Sequence, residues 1–246
     1  MVIPLLVVGF RSFDLSQYAC ARIPIAFSDL EGGSVDILFN LMAKHSSKQS
    51  VILHYDVGDK RFIKVTERCN LNCKFCPKQN LLGSSTKQFP APKEPSLTEI
   101  IDSVCATGNC REVIFSGLGE PTYRLYDILK AARYLKSKGV RAVLHTNGLA
   151  DRIHDRPIAP DLEDNIDAIN ISLNAHCAEA YDKVCRPEIE NAFQSVTDFI
   201  RNVREYVPEV SVSATRGLPE VNMDACRELA NELGVRFQER LITQPC

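Results

Sequence analysis

From Val51 onward the apolar residues change period repeatedly, first falling on every second position, then on every third or fourth, then on every second again. This alternation restricts the fold more than any other feature. A chain that interleaves β and α segments buries both by laying strands side by side and covering them with the intervening helices. "VILHYDVGDKRFIKVT" reads as two strands joined by a turn at Gly58 and Asp59. "REVIFSG", "VRAVLH", "IDAINISLN", "EVSVSAT" and "VRFQER" read as later strands. Between them, Ser96 and Glu99 form a capping box ahead of Ile100, Ile101, Val104 and Cys105. Leu125, Ile128, Leu129, Ala132 and Leu135 share one helical face that Gly139 terminates. Ile189, Phe193, Val196, Ile200 and Val203 mark another helix, which Pro208 breaks, and the last runs from Asn222 to Leu233. Counted from the second strand of the hairpin, six β units with right-handed crossovers make an α/β protein, most simply a partial (β/α)6 TIM-like barrel; a doubly wound open sheet is the alternative. Both place the loops after the strands on one rim, where ligands bind.

At 246 residues the chain is long enough for one full core. Residues 1–50 lack the alternation and are expected to form an N-terminal extension of unknown role, with residues 51–246 as the core domain. Lys and Arg total 29 against 31 Asp and Glu, so no basic field indicates a nucleic acid. The opening "MVIPLLVVGF" has no basic run before it and is far shorter than a membrane span. Ten cysteines in a chain this long and aliphatic do not require a disulfide framework, and the expectation is a soluble protein of the reducing cytoplasm.

Residues with chemical potential gather at strand ends. Cys69, Cys73 and Cys76 follow the second hairpin strand in the spacing "CNLNCKFC"; Gly117, Gly119, Glu120 and Pro121 follow the next strand; Thr146, Asn147 and Gly148 follow the next; Ser172 and Asn174 end the fourth. Sheet packing does not require these sequences, so their shared rim points to one assembled site. A closed metal site usually takes four side chains. Three thiolates can instead hold three irons of a 4Fe-4S cube and leave the fourth iron open to a ligand that is not protein.

The spacing resembles the CxxxCxxC signature of the radical S-adenosylmethionine (radical SAM) superfamily, and "FSGLGEP", "HTNG" and "ISLNA" fall where that family keeps its cofactor-binding strand ends. The resemblance spans roughly residues 60 to 240. More narrowly, "SLNAHCAEAYDKVCRP" and "GVRFQER" are similar to radical SAM proteins associated with TatD-type hydrolases. The resemblance implies a 4Fe-4S cluster on Cys69, Cys73 and Cys76, S-adenosylmethionine as second cofactor, its reductive cleavage to a 5′-deoxyadenosyl radical acting on an unknown substrate, and a flavodoxin or ferredoxin as electron donor. It implies that Phe75 packs near adenine and that Gly117 and Gly119 let the backbone approach the methionine moiety. It further implies that Glu120 and its neighbouring carbonyls accept from the ammonium, that Pro121 stiffens the turn, and that Asn147 and Ser172 bond ribose or carboxylate oxygens. Asn174, with His176, Cys185 and Arg186, falls on the substrate side. His145 and His54 read as packing residues. Other readings stay open: a zinc-binding or electron-transfer protein in which a distant side chain supplies a fourth ligand and, within the superfamily, an RNA-modifying enzyme or a glycyl-radical activase.

Overall fold

The computed structural model describes residues 54–76, 94–105 and 110–241. The expectation for residues 1–50 falls outside them.

A hairpin opens the described chain. Strand β1 (His54–Val57) turns at Gly58 and Asp59 into β2 (Lys60–Lys64), which pairs with it antiparallel. Parallel strands then follow in chain order: β3 (Glu112–Ser116), β4 (Arg141–Thr146), β5 (Ala168–Ser172), β6 (Glu209–Arg216) and β7 (Arg236–Leu241). The seven-stranded sheet is sequential from β1 to β7 and curls into a half-barrel, the partial TIM-like arrangement that the alternation implies.

The crossovers carry α1 (Leu97–Cys105), α2 (Leu125–Ser137), the short α3 (Ala150–His154) and α4 (Ala159–Leu162), α5 (Ala178–Cys185), α6 (Ala192–Val203) and α7 (Met223–Glu232). The expected caps are present. Ser96 Oγ accepts from Glu99 N at 3.2 Å while Ser96 N donates to Glu99 Oε2 at 2.7 Å, and Asn222 Oδ1 accepts from Asp224 N and Ala225 N at the start of α7. Periodicity does not reveal α3 and α4, which are too short to show two turns of an apolar stripe. Nor does it mark α5, of which Ala180, Tyr181, Val184 and Cys185 form the buried face.

Cross-strand register explains how one sheet serves two environments. Ile63, Phe115, Leu144, Ile169 and Val210 are successive partners across β2 to β6 and make an apolar row that packs in the core with Ile100, Leu125, Ile128, Val196 and Ile200 of the helices. Side chains one residue along point to the other face. There the row across β4 to β6 is His145, Asn170 and Ser211, and the next pair is Ser172 with Ser213. Asn170 Nδ2 donates to Ser211 Oγ at 3.0 Å and its Oδ1 accepts from Ser213 Oγ at 2.8 Å, so this inner wall is polar yet satisfied.

Lys60, Glu112, Arg141, Glu209 and Arg236 each begin a strand. Together they form a ladder of alternating charge: Lys60–Glu112 2.8 Å, Arg141–Glu112 3.9 Å, Arg141–Glu209 2.9 Å and Arg236–Glu209 3.2 Å. It runs along the edge opposite the strand ends that carry the candidate site. Among the described residues no helix is long and apolar enough to cross a membrane.

Candidate functional site

The chain leaves β2 through Val65 and Thr66 into the cysteine loop, which is fastened from two sides. Thr66 Oγ1 and Arg68 Nε both donate to Glu94 Oε1, at 2.5 and 2.8 Å, and the Arg68 guanidinium stacks 4.8 Å from the centroid of the Tyr123 ring. On the other side, Asn72 N donates to Cys185 O at 3.1 Å, Lys74 N donates to Val184 O at 2.9 Å, and Leu71 forms an antiparallel bridge with Pro187. The "VCRP" segment therefore clasps the loop by its backbone, and Arg186 takes a left-handed conformation (φ +48°) to end α5 there. Lys74 pairs with Glu220, so it and Arg68 are both engaged with carboxylates.

The next strand end supports the loop from below. An added Cβ at Gly119 would stand 2.5 Å from Arg68 O, 2.7 Å from Glu67 C and 2.8 Å from Thr66 O. One at Gly117, where φ is +135°, would stand 2.7 Å from Lys64 Cγ. These glycines thus clear space for β2 and the backbone leading into Cys69. Glu120 N donates to Arg68 O at 2.7 Å and completes that contact.

Glu120 is buried, and protein donors surround its carboxylate. Oε1 accepts from Thr122 N (3.1 Å), Thr122 Oγ1 (2.7 Å) and Thr146 Oγ1 (2.7 Å), and Oε2 accepts from Asn147 N (2.6 Å). Burial pushes its pKa up from the usual carboxylate value, against the pull of these donors. Its Oε1 is committed to the fold, so the side chain acts first as a staple between the ends of β3 and β4. Asn147 extends the staple by donating from Nδ2 to Asn70 Oδ1 at 2.7 Å, inside the cysteine loop, and accepting at Oδ1 from Leu149 N at 3.0 Å. Its hydrogen-bonding groups serve the loops around it.

These elements line an open cavity, whose empty volume is about 660 Å³ with the open solvent at its mouth included. Cys69, Cys73, Phe75, Cys76, Gly117, Gly119, Glu120, Pro121, Asn147, Ser172 and Asn174 all line it, so the structure gathers every candidate cofactor or metal residue onto one wall. Of the residues assigned to the substrate side, only Asn174 reaches the cavity. His176 turns to the start of α7, where its Nδ1 lies 3.4 Å from Asn222 N; Arg186 is exposed; Cys185 is fully buried behind the wall.

Two titratable lining residues were not among the candidates. His145 was read as packing, and it does meet Phe62 edge-on with ring centroids 6.2 Å apart, yet it also faces the cavity. Burial, reinforced by the nearby Arg240 and Lys60 charges, lowers its pKa to about 4 and keeps the imidazole neutral. Arg240 reaches the cavity from β7 and donates to Ser172 Oγ at 3.1 Å and to Asn174 Oδ1 at 3.2 Å. The sequence carried a signal for it: Arg236, Gln238 and Arg240 alternate as the polar face of "VRFQER".

Cys69 is exposed at the cavity mouth, yet enough protein surrounds its sulfur to push the thiol up to about 12, with the Glu120 charge adding to that effect. The Cys73 thiol is also raised, first by its hydrogen bond with the Cys185 thiol and then by burial. Among the described residues no three His, Cys, Asp or Glu side chains converge to hold a single ion. The lining nevertheless offers three soft sulfur donors and a carboxylate already engaged by protein, a donor set that fits iron–sulfur chemistry better than a hard cation.

The description "Radical SAM superfamily" matches residues 63–233, from β2 to the end of α7. The chain belongs to the radical SAM superfamily. This radical SAM chain is 31% identical to Fe-coproporphyrin III synthase of Methanosarcina barkeri over 189 residues, covering 74% of this chain and 44% of that protein. It is 32% identical to GTP 3′,8-cyclase of Lactiplantibacillus plantarum over 127 residues, covering 50% of this chain and 36% of that one. It thus spans less than half the length of both. Among solved structures, Streptococcus suis SuiB bound to S-adenosylmethionine superposes with a TM-score of 0.54 at 16% identity, covering 74% of this chain and 40% of SuiB, a likeness of fold alone.

Proposed function

We propose that this chain is a radical SAM enzyme in which Cys69, Cys73 and Cys76 hold a 4Fe-4S cluster and the adjoining cavity binds S-adenosylmethionine. The observation that carries the reading is the joining of three cysteines and the ends of β3, β4 and β5 around one cavity, in a chain of this superfamily. When bound, the cluster and S-adenosylmethionine supply one-electron cleavage of a sulfonium C–S bond, giving methionine and a 5′-deoxyadenosyl radical. The protein's own part is positional. Gly119 and the Glu120–Arg68 bond fix the approach to Cys69, and the "VCRP" clasp fixes the backbone on either side of Cys73. Phe75, nine-tenths buried, supplies an apolar face to the cavity.

A flavodoxin or ferredoxin of the reducing cytoplasm supplies the electron, and kinship with the TatD-associated radical SAM proteins is the narrower assignment within the superfamily. Of the two relatives named above, one by its name makes Fe-coproporphyrin III and the other cyclises GTP, which supports a small-molecule substrate here.

Anaerobic reconstitution followed by dithionite and S-adenosylmethionine, with chromatography for 5′-deoxyadenosine, tests the reading. Wild type is expected to carry close to four irons and four sulfides per chain and to form the nucleoside, and Cys73→Ala to lose both; nucleoside formed by Cys73→Ala would overturn the cluster assignment. One observation favours a second reading, a closed four-thiol metal site without catalysis: the Cys185 thiol touches Cys73. A colourless protein with stoichiometric zinc that is lost in Cys185→Ala would establish it.

A further inference from the structure

Cys185 stands against the cysteine loop without belonging to the cavity. Its side chain is fully buried at the end of α5 and, unlike Cys69, Cys73 and Cys76, does not line the cavity wall. The backbone fastens it beside Cys73 on both sides: Asn72 N donates to Cys185 O at 3.1 Å and Lys74 N to Val184 O at 2.9 Å. Between these two bonds the Cys73 and Cys185 thiols meet. The clasp uses only main-chain carbonyls of α5, so it does not itself require a sulfur at position 185. The direction of the hydrogen bonds behind that sulfur supplies a reason for it. A guanidinium has donors and no acceptor, so the Arg240 contact at 3.2 Å fixes Oδ1 of Asn174 as the acceptor and turns its Nδ2 the other way. Nδ2 lies 3.5 Å from Cys185 Sγ and donates to it. With its sulfur receiving from Asn174, the Cys185 thiol is oriented to give its own hydrogen to the sulfur beside it, that of Cys73. The donors therefore all point one way, from the permanent charge of Arg240 through an amide and a thiol to Cys73. Hydrogen bonds to the sulfur ligands of an iron–sulfur cluster favour its more negative, reduced state and so set its potential.

We propose that Cys185 is a positioning residue of the cluster site, its S–H donating to the Cys73 sulfur, under the direction of Asn174, and thereby raising the reduction potential of the cluster that Cys73 helps to hold. This rests on the cluster reading proposed above. Cys185 is a donor behind the wall and supplies no bond to iron.

The experiment is an anaerobic potentiometric titration with dithionite of the reconstituted full chain, without S-adenosylmethionine, in wild type, Cys185→Ala, Cys185→Ser and Cys226→Ala. Iron and sulfide content and the thermal midpoint are measured on the same samples. Cys226, fully buried on α7, controls for the loss of a buried cysteine elsewhere. Cys185→Ala is expected to bind iron as wild type does and to shift the reduction equilibrium about tenfold toward the oxidised cluster, which for one electron is about 59 mV more negative. Water entering the space left by the side chain would oppose that shift, because it too stabilises the more charged state, so a mere hole does not imitate the result. Cys185→Ser, whose hydroxyl also donates, is expected to recover most of the potential, and Cys226→Ala to show no shift. Cys185→Val, close to cysteine in volume and without a donor, replaces Cys185→Ala if that variant does not fold. A potential unchanged in Cys185→Ala, or lowered equally in Cys185→Ser, would overturn the inference and leave the thiol as packing. Loss of iron from Cys185→Ala at an unchanged thermal midpoint would overturn it as well, since Cys185 would then be a ligand. If wild type takes up no iron–sulfur cluster, the cluster reading falls and this inference with it, whereas a loaded wild type whose potential ignores position 185 sinks the inference alone.

Discussion

Replacing Gly119 by alanine tests the claim that this glycine exists for the cysteine loop. The new Cβ would lie 2.5 Å from Arg68 O, 2.7 Å from Glu67 C and 2.8 Å from Thr66 O, all backbone atoms with no rotamer to swing away. Restoring an ordinary contact of 3.4 Å moves the Arg68 carbonyl by about 0.9 Å, which breaks the 2.7 Å bond it accepts from Glu120 N. Overpacking of this kind costs about 1–3 kcal/mol and the lost bond about 0.5–1.5 kcal/mol. The expected total is about 2–4 kcal/mol, or roughly 4–16 °C in Tm for a domain of this size. Because Arg68 precedes Cys69, iron incorporation should fall as well. Gly139→Ala is the control: it has φ +69° and nothing within 4 Å of an added Cβ, so it should cost only the left-handed penalty of about 1–2 kcal/mol and leave iron content intact. Urea denaturation with iron analysis of both variants measures this. If Gly119→Ala came within about 0.5 kcal/mol of wild type with full iron, the reasoning would be wrong.

Glu120→Gln can keep its carbonyl oxygen for Thr122 and Thr146 only by turning its –NH2 toward the Asn147 N–H, a donor facing a donor, and should destabilise by about 1–3 kcal/mol in urea denaturation, whereas Glu120→Asp should retract the carboxylate and lose part of the same network. Asn147→Ala leaves the buried Asn70 Oδ1 without its donor, with an expected cost of about 1–3 kcal/mol and a looser cysteine loop, read as faster amide exchange at Asn70 and Asn72. For His145 the folded pKa of about 4 lies below the reference 6.5, so the folded state binds fewer protons than the unfolded one in that window. Its contribution is full above pH 6.5 and is lost as pH falls toward 4, by about 2–3 kcal/mol. Urea midpoints of wild type and His145→Phe between pH 4 and 7 should diverge accordingly, and parallel curves would remove the histidine from the account.

The division between what sequence and tertiary structure decide follows the range of the interactions. Strand and helix positions, the hairpin turn at Gly58, the caps at Ser96 and Asn222 and the rim location of Cys69, Glu120, Asn147 and Ser172 were legible in the chain, because periodicity and capping are local and strand ends are where crossovers leave a parallel sheet. The purpose of each residue was not legible. That Gly119 yields to Arg68 O, that the Glu120 carboxylate binds Thr146 and Asn147, that the segment at Cys185 clasps the cysteine loop, and that Arg240 meets Ser172 depend on contacts across many residues of sequence. Side-chain chemistry specifies which groups can donate or accept, but only the folded chain brings a particular donor and acceptor within 3 Å and buries them together. The sequence by itself determined the half-barrel and its reactive rim; the tertiary structure decided which of those residues hold the wall together and which are left facing the cavity.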